Sequence, residues 1–158
     1  MRRITPWRAI VSGGALGGLG DIVFAIAMAL ARGDTARHLL QIVASGALGD
    51  AAFEGGAGAA ALGLALHFAL AFAWAALFVL AARAMPALAR RPLPAAAGYG
   101  VLVLLAMRLV VLPLSAFPFP SGVKPSWPLF LDGLSHVFLF ALPIVLAARR
   151  AQPRVQPA

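Results

Sequence analysis

Apolar residues gather into four long blocks, and polar positions within them are few. Each block reaches about 20 residues, the length at which an α-helix crosses the hydrocarbon of a bilayer. The pattern predicts spans over about 9–30, 57–82, 95–114 and 129–148. Between the first two the period changes. Asp34, Arg37, His38, Gln41 and Ser45 fall on one helical stripe, and Leu39, Leu40, Ile42 and Val43 on the other. Running from about 34 to 49, this stretch is too short and too polar to span. It predicts an amphipathic or re-entrant helix on the outer face, with Asp34 as its N-cap. The fold class expected is all-α: a polytopic transmembrane four-helix bundle with a short outer-face helix between spans one and two. The chain, 1–158, forms one membrane domain, because four spans leave only short connections.

Finer patterns orient the spans. In the first, Gly13, Gly17, Asp21, Phe24 and Met28 recur at steps of three and four and share one helix face, which lets a second helix approach closely. Gly14 and Gly18 form a neighbouring pair, and either pair offers a packing face within the bundle or a contact for a second copy of the chain. The second span carries Gly56, Ala60, Gly63, His67, Ala71 and Trp74 along a small-residue face, which turns the histidine inward. Pro113 and Pro143 each withdraw a backbone donor and bend their spans. The segment from Phe117 to Pro128 alternates aromatic residues and prolines and reads as an extended interfacial loop.

Composition strengthens the membrane reading, since 62% of residues are hydrophobic and only 11% charged. The net charge of +8 does not point to nucleic acid, because the basic residues sit at the ends of apolar blocks and form no stripe interleaved with aromatics. With both termini cytoplasmic, Arg2, Arg3, Arg8, Arg83, Arg90, Arg91, Arg149, Arg150 and Arg154 lie inside, while Arg32, Arg37 and Lys124 lie outside. This is a strong positive-inside bias, and it favours an even number of spans in a bacterial inner membrane. Arg2 and Arg3 ahead of an apolar run suggest a signal peptide or a twin-arginine signal. The run is too long, too glycine-rich and too interrupted by Asp21 for either, so a retained first span is expected. The absence of cysteine excludes disulfides, thiolate catalysis and cysteine-ligated metal. Hydrolase elbows, phosphate loops and dinucleotide fingerprints are missing as well.

Asp21, His67, Arg108, Asp132 and His136 are the ionisable residues placed inside the spans. At about 1.5 Å of rise per residue, Asp21 and Arg108 fall roughly 18 and 20 Å from the inner edge, and His67 and His136 roughly 15 and 11 Å from the outer edge. These depths define one polar layer in the outer half of the membrane. Three arrangements of it stay open. Asp21 and Arg108 pair, either as an interhelical clasp or as the lining of a polar path for a proton, ion or small solute. His67 and His136, on spans of the same direction, ligate haem b or serve a quinone-linked redox protein. Alternatively they are hydrogen-bonded, with Asp132 orienting His136 from one turn earlier. A metal site of His38, His67, Asp132 and His136 requires a fold that the sequence does not specify, and Glu54 belongs to a headgroup-level turn.

The segments Leu40-Gln41-Ile42-Val43-Ala44-Ser45-Gly46-Ala47-Leu48-Gly49, Ala52-Phe53-Glu54-Gly55-Gly56, Leu62-Gly63-Leu64-Ala65-Leu66-His67-Phe68 and Val110-Val111-Leu112-Pro113-Leu114-Ser115 resemble an uncharacterised family of bacterial four-span integral membrane proteins. The resemblance covers most of the chain and implies a fold and a location, not an activity. The function expected is that of a non-enzymatic structural, accessory or binding component. A carrier using Asp21, Arg108, His67 and His136 is the alternative, and a haem- or quinone-linked redox protein the third reading.

Overall fold

A computed structural model describes residues 4–152. Arg2, Arg3 and Arg154, which entered the charge count above, lie outside these residues. All regular structure among the described residues is helical. Helix α1 is Pro6–Ala31, α2 Ala36–Leu48, α3 Gly56–Ala84, α4 Pro92–Leu114 and α5 Trp127–Ala151, with 3₁₀ turns at Gly49–Phe53 and Pro86–Ala89. The helices α1, α3, α4 and α5 are long and apolar enough to cross a membrane.

Local chemistry explains why α1 and α5 begin earlier than their apolar blocks do. Thr5 accepts the amide of Arg8 at 3.3 Å and Ser126 that of Leu129 at 3.3 Å, each capping a first turn that contains proline. Proline is tolerated there because the first-turn amides have no partner within the helix. At its other end α1 closes through Gly33, whose φ of 79° is open to glycine; the Asp34 amide then reaches back to Ala29 O at 3.0 Å. Helix α2 starts one residue later than the pattern suggests. Thr35, not Asp34, caps it by accepting the His38 amide at 3.1 Å.

The long helices alternate in direction. Ile4 N donates to Arg150 O, and the Gln152 side chain donates to Ala82 O at 2.9 Å, which ties the start of α1 to the ends of α5 and α3. Arg8, Arg83, Arg90, Arg91, Arg149 and Arg150 lie at this basic end. At the opposite end α2 crosses α3 and is fastened to the segment after α4 by Ala116 N to Gly46 O at 2.9 Å. Phe53, Phe119 and Phe117 continue that seam as a chain of edge-to-face rings.

Burial is distributed as lipid demands. The core is largely alanine with Val79, Val103, Phe78, Phe140, Ile144 and Val145, whereas Leu16, Leu19, Val23, Leu77, Leu80 and Leu102 point outward. Acyl chains solvate leucine as well as a neighbouring helix does, so helices associate through residues small enough for close backbone contact. Gly13 and Gly17 pack on Ile144 and Phe140 of α5, and Gly14 and Gly18 on Phe72, Phe68 and Ala71 of α3. Both glycine pairs are therefore covered within the chain. Gly63 receives the Leu40 carbonyl of α2 where a Cβ would sit, and Gly100 receives the His136 carbonyl of α5.

Gly63→Ala should destabilise the protein by about 1–3 kcal/mol, because its methyl meets backbone and cannot be absorbed by a rotamer change. Gly98→Ala on α4, where nothing lies within 4 Å, should instead stabilise by about 0.5–1 kcal/mol through helix propensity. Reversible unfolding in mixed detergent micelles measures both, and equal effects of the two substitutions would contradict the packing described.

Candidate functional site

One stripe of α1 organises the site. Gly13 and Gly17 hold α5 close, and one turn further along the stripe carries Asp21. The Asp21 carboxylate accepts the Ser135 hydroxyl at 3.0 Å and stands 3.8 Å from His136 Nδ1. Ser135 is buried and was not singled out from the sequence. Its position next to His136, three residues after Asp132, was the available signal.

Asp132 links the remaining groups. Its Oδ2 accepts Arg108 Nη2 at 2.8 Å, and its Oδ1 lies 3.2 Å from His136 Nδ1, which also faces the Asp132 carbonyl at 2.9 Å. Arg108 is held further by the Gly122 carbonyl at 3.4 Å. The expected Asp21–Arg108 pair is thus not formed: Arg108 meets Asp132, and Asp21 meets Ser135 and His136. Asp132 is the better placed partner because α4 packs on α5 through Gly100, which sets Arg108 opposite the first turns of α5.

The imidazole of His136 can be assigned from its neighbours. Every group near Nδ1 is an oxygen acceptor, so Nδ1 carries a proton in both charge states and Nε2 is the nitrogen that titrates. Two carboxylates against one guanidinium leave the cluster one negative charge when the imidazole is neutral and none when it is protonated. The side chains are only partly enclosed, His136 at 13% and Arg108 at 35% exposed.

Beyond Asp21 the α1 stripe opens into a cavity of about 220 Å³. Arg108 and Asp132 lie at its polar side. Phe24, Ala25 and Met28 of α1, Leu39 of α2 and Pro128 of α5 provide apolar walls, and Arg32 stands at the end of α1. Toward the basic end the stripe is sealed by the glycine contacts and by the alanine-rich core.

His67 is not joined to this cluster by a hydrogen bond or ion pair. Its Nε2 donates to Gly18 O at 2.8 Å, and its ring stands edge-on to Phe68. One nitrogen of His67 is therefore committed to a backbone carbonyl and one of His136 to Asp132. The proposed four-residue metal site is not assembled: His38 pairs with Asp34 at 2.8 Å on the exposed side of α2, and among the described residues no three His, Asp or Glu side chains are arranged to hold a metal ion.

Helix α2 differs from its predicted polarity. Gln41 and Ser45, placed on the polar stripe by the sequence, are buried. The Gln41 amide donates to the Phe53 and Gly56 carbonyls, at 3.4 and 3.3 Å, and Ser45 to Ile42 O at 2.7 Å. The tight turn between α2 and α3 leaves carbonyls that need donors, and Gln41 supplies them. Glu54 is exposed at that turn.

Scans against protein-family models, curated proteins and solved structures each find no match for this chain.

A double-mutant cycle of Arg108→Gln and Asp132→Asn should give a coupling of about 1–2 kcal/mol in detergent unfolding, moderated by the partial exposure of both side chains. Additive effects would show that the pair contributes nothing.

The Asp34 carboxyl titrates below its ordinary 3.8, because the His38 ring and the Thr35 amide bond to its ionised form. Its contribution to stability is present above 3.8 and lost as pH falls through the depressed folded-state value. Asp34→Asn should therefore lower the thermal midpoint slightly at pH 6, and the difference from wild type should vanish in strong acid. A difference that persists there would assign the effect to another group.

Proposed function

We propose that this chain is a non-enzymatic integral membrane protein of a bacterial inner membrane, with α2 on the outer face and both termini cytoplasmic. In this reading the Asp21–His136–Asp132–Arg108 cluster forms the end of a small-solute binding site entered from outside. The cavity beside Arg108 and Asp132 carries the proposal. A clasp needed only for stability has no use for 220 Å³ of space lined by α1, α2, α4 and α5.

Charge supports the orientation. Six arginines lie at the basic end within the described residues, and Arg32, Arg37 and Lys124 are the basic residues of the α2 end and the loop after α4. The four long helices and the resemblance to bacterial four-span proteins support the membrane assignment. The site is partly enclosed, polar at one side and apolar around it, as small-molecule sites are. A binding component is favoured over a conductor because, from Asp21 toward the basic end, the stripe is closed by Gly17 against Phe140 and Gly13 against Ile144. A carrier is the second reading, favoured by π-helical turns at Met107–Val111 and His136–Ala141, which place deformable segments on both helices that supply the cluster.

The cysteine-free sequence makes an accessibility test clean. Met28→Cys, lining the cavity, should react with a membrane-impermeant methanethiosulfonate applied from the periplasmic side, whereas Val103→Cys, buried in the core, should not. Labelling of Met28→Cys only from the cytoplasmic side would reverse the orientation, and protection from both sides would remove the cavity as a solute site.

A further inference from the structure

We propose that the solute is a small carboxylate with an apolar body, its anionic head held by Arg108 and Arg32 and its body lying against Phe24, Met28 and Leu39. This rests on the binding-site reading above and narrows it to one chemical class.

Three observations lead there. The charged groups lining the cavity are Arg108, Arg32 and Asp132, an excess of one positive charge. Among the described residues no side-chain hydrogen bond or ion pair engages the Arg32 guanidinium, so its donors are available. Arg108 is only partly satisfied, with one contact to Asp132 and a long one to Gly122 O, and a guanidinium offers five N–H donors in a planar fork that matches a carboxylate.

The rest of the lining decides against a hydrophilic anion. Away from the arginines the walls are aromatic, thioether and aliphatic, and a solute surrounded by them must bury apolar surface to offset leaving water. Size sets the upper limit. At about 220 Å³ the space is smaller than the ~300–1,000 Å³ of pockets for drug-sized ligands, so the body is one ring or a short chain. Asp132 sets the orientation, since a carboxylate head avoids it and approaches the face of Arg108 turned toward Arg32. His136 stands behind Asp132 as a second donor to that carboxylate, which keeps Asp132 partnered when the solute shares Arg108.

Titration calorimetry on the purified full-length protein, at fixed ionic strength and pH 7, tests this with benzoate, benzamide and inorganic phosphate as probes. Benzoate is expected to bind saturably, with benzamide at least about tenfold weaker for want of charge and phosphate weaker still for want of an apolar body. Arg108→Gln removes the guanidinium that neutralises Asp132 and risks misfolding, so the deciding variants are Arg32→Gln, at an exposed position, and the charge-balanced pair Arg108→Gln with Asp132→Asn. Each should weaken benzoate by about tenfold or more, which corresponds to about 1.4 kcal/mol. Benzamide binding as tightly as benzoate, phosphate outcompeting benzoate, or no binding of any probe overturns the carboxylate assignment. So does unchanged benzoate affinity in both variants. The binding-site reading falls separately, with a cavity cysteine that no aqueous reagent reaches.

Discussion

The contact on which the structure depends is the seating of α5's widened turn against glycines of α1 and α4. Proline at 143 has no amide for the Leu139 carbonyl four residues earlier, and the π-helical turn His136–Ala141 just before it disturbs the regular ladder. Three carbonyls of this segment are turned onto glycines of neighbouring helices. Those of Phe140 and Leu139 lie against Gly17 and Gly20, at 2.6 and 2.9 Å from where a Cβ would be, and that of His136 lies against Gly100 at 2.6 Å by the same measure. Only a glycine Cα can come so near, offering a weak C–H donor where hydrocarbon would offer nothing. The glycines of α1 and α4 and the proline of α5 are thus parts of a single device.

That device sets the distances in the polar cluster. With α1 and α5 locked at Gly17 and Gly20, Asp21 arrives next to Ser135 and His136, and with α4 locked at Gly100, Arg108 arrives opposite Asp132. Charges in the hydrocarbon region cost several kcal/mol when left alone, and the cluster is wired so that each member has an opposite charge or a hydrogen bond. Arg108 and Asp132 neutralise one another. Asp21 has a hydroxyl and an imidazole, and His136 supplies the one group whose protonation balances the second carboxylate.

Much of this was legible in the residues, and the failures share a cause. Hydropathy located four helices because length and apolarity alone decide what can cross a bilayer, and the stripe Gly13, Gly17, Asp21, Phe24, Met28 was correctly seen as one face. It proved to be tight at its glycine end and open at its methionine end. Depth along each helix was also informative, since Asp21, Arg108 and His136 do converge. Rotation about the helix axis was not recoverable. It depends on which neighbour a helix packs against, and this is why the sequence leaves a pairing of Arg108 with Asp21 open when Arg108 meets Asp132, and why it puts His67 at the level of residues that His67 does not bond. Gln41 and Ser45 share the polar stripe of α2 with Asp34, Arg37 and His38 in the sequence, but the carbonyls of the turn after α2 need donors and draw Gln41 inward. Ser135 carries too common a side chain to stand out without its neighbours in space.

Asymmetry along the stripe links the fold to the site. From Gly13 to Gly20 the interhelical space is filled by the backbone and side chains of α5 and α3, chiefly Ile144, Phe140, Phe72 and Phe68, and the polar side chain that reaches it, His67, is bonded to the Gly18 carbonyl. From Asp21 to Arg32 the helices separate, because Phe24 and Met28 replace glycine and α2 lies across the end of the molecule. The separation begins where the small residues stop, so the polar cluster sits at the boundary between a sealed half and an open one. A solute that reaches Arg108 meets the last charged groups before the glycine seam. Passing further would require Gly17 to part from Phe140, which means breaking the contact that holds α1 and α5 together. In this conformation, therefore, the same packing that assembles the cluster also closes the path beyond it.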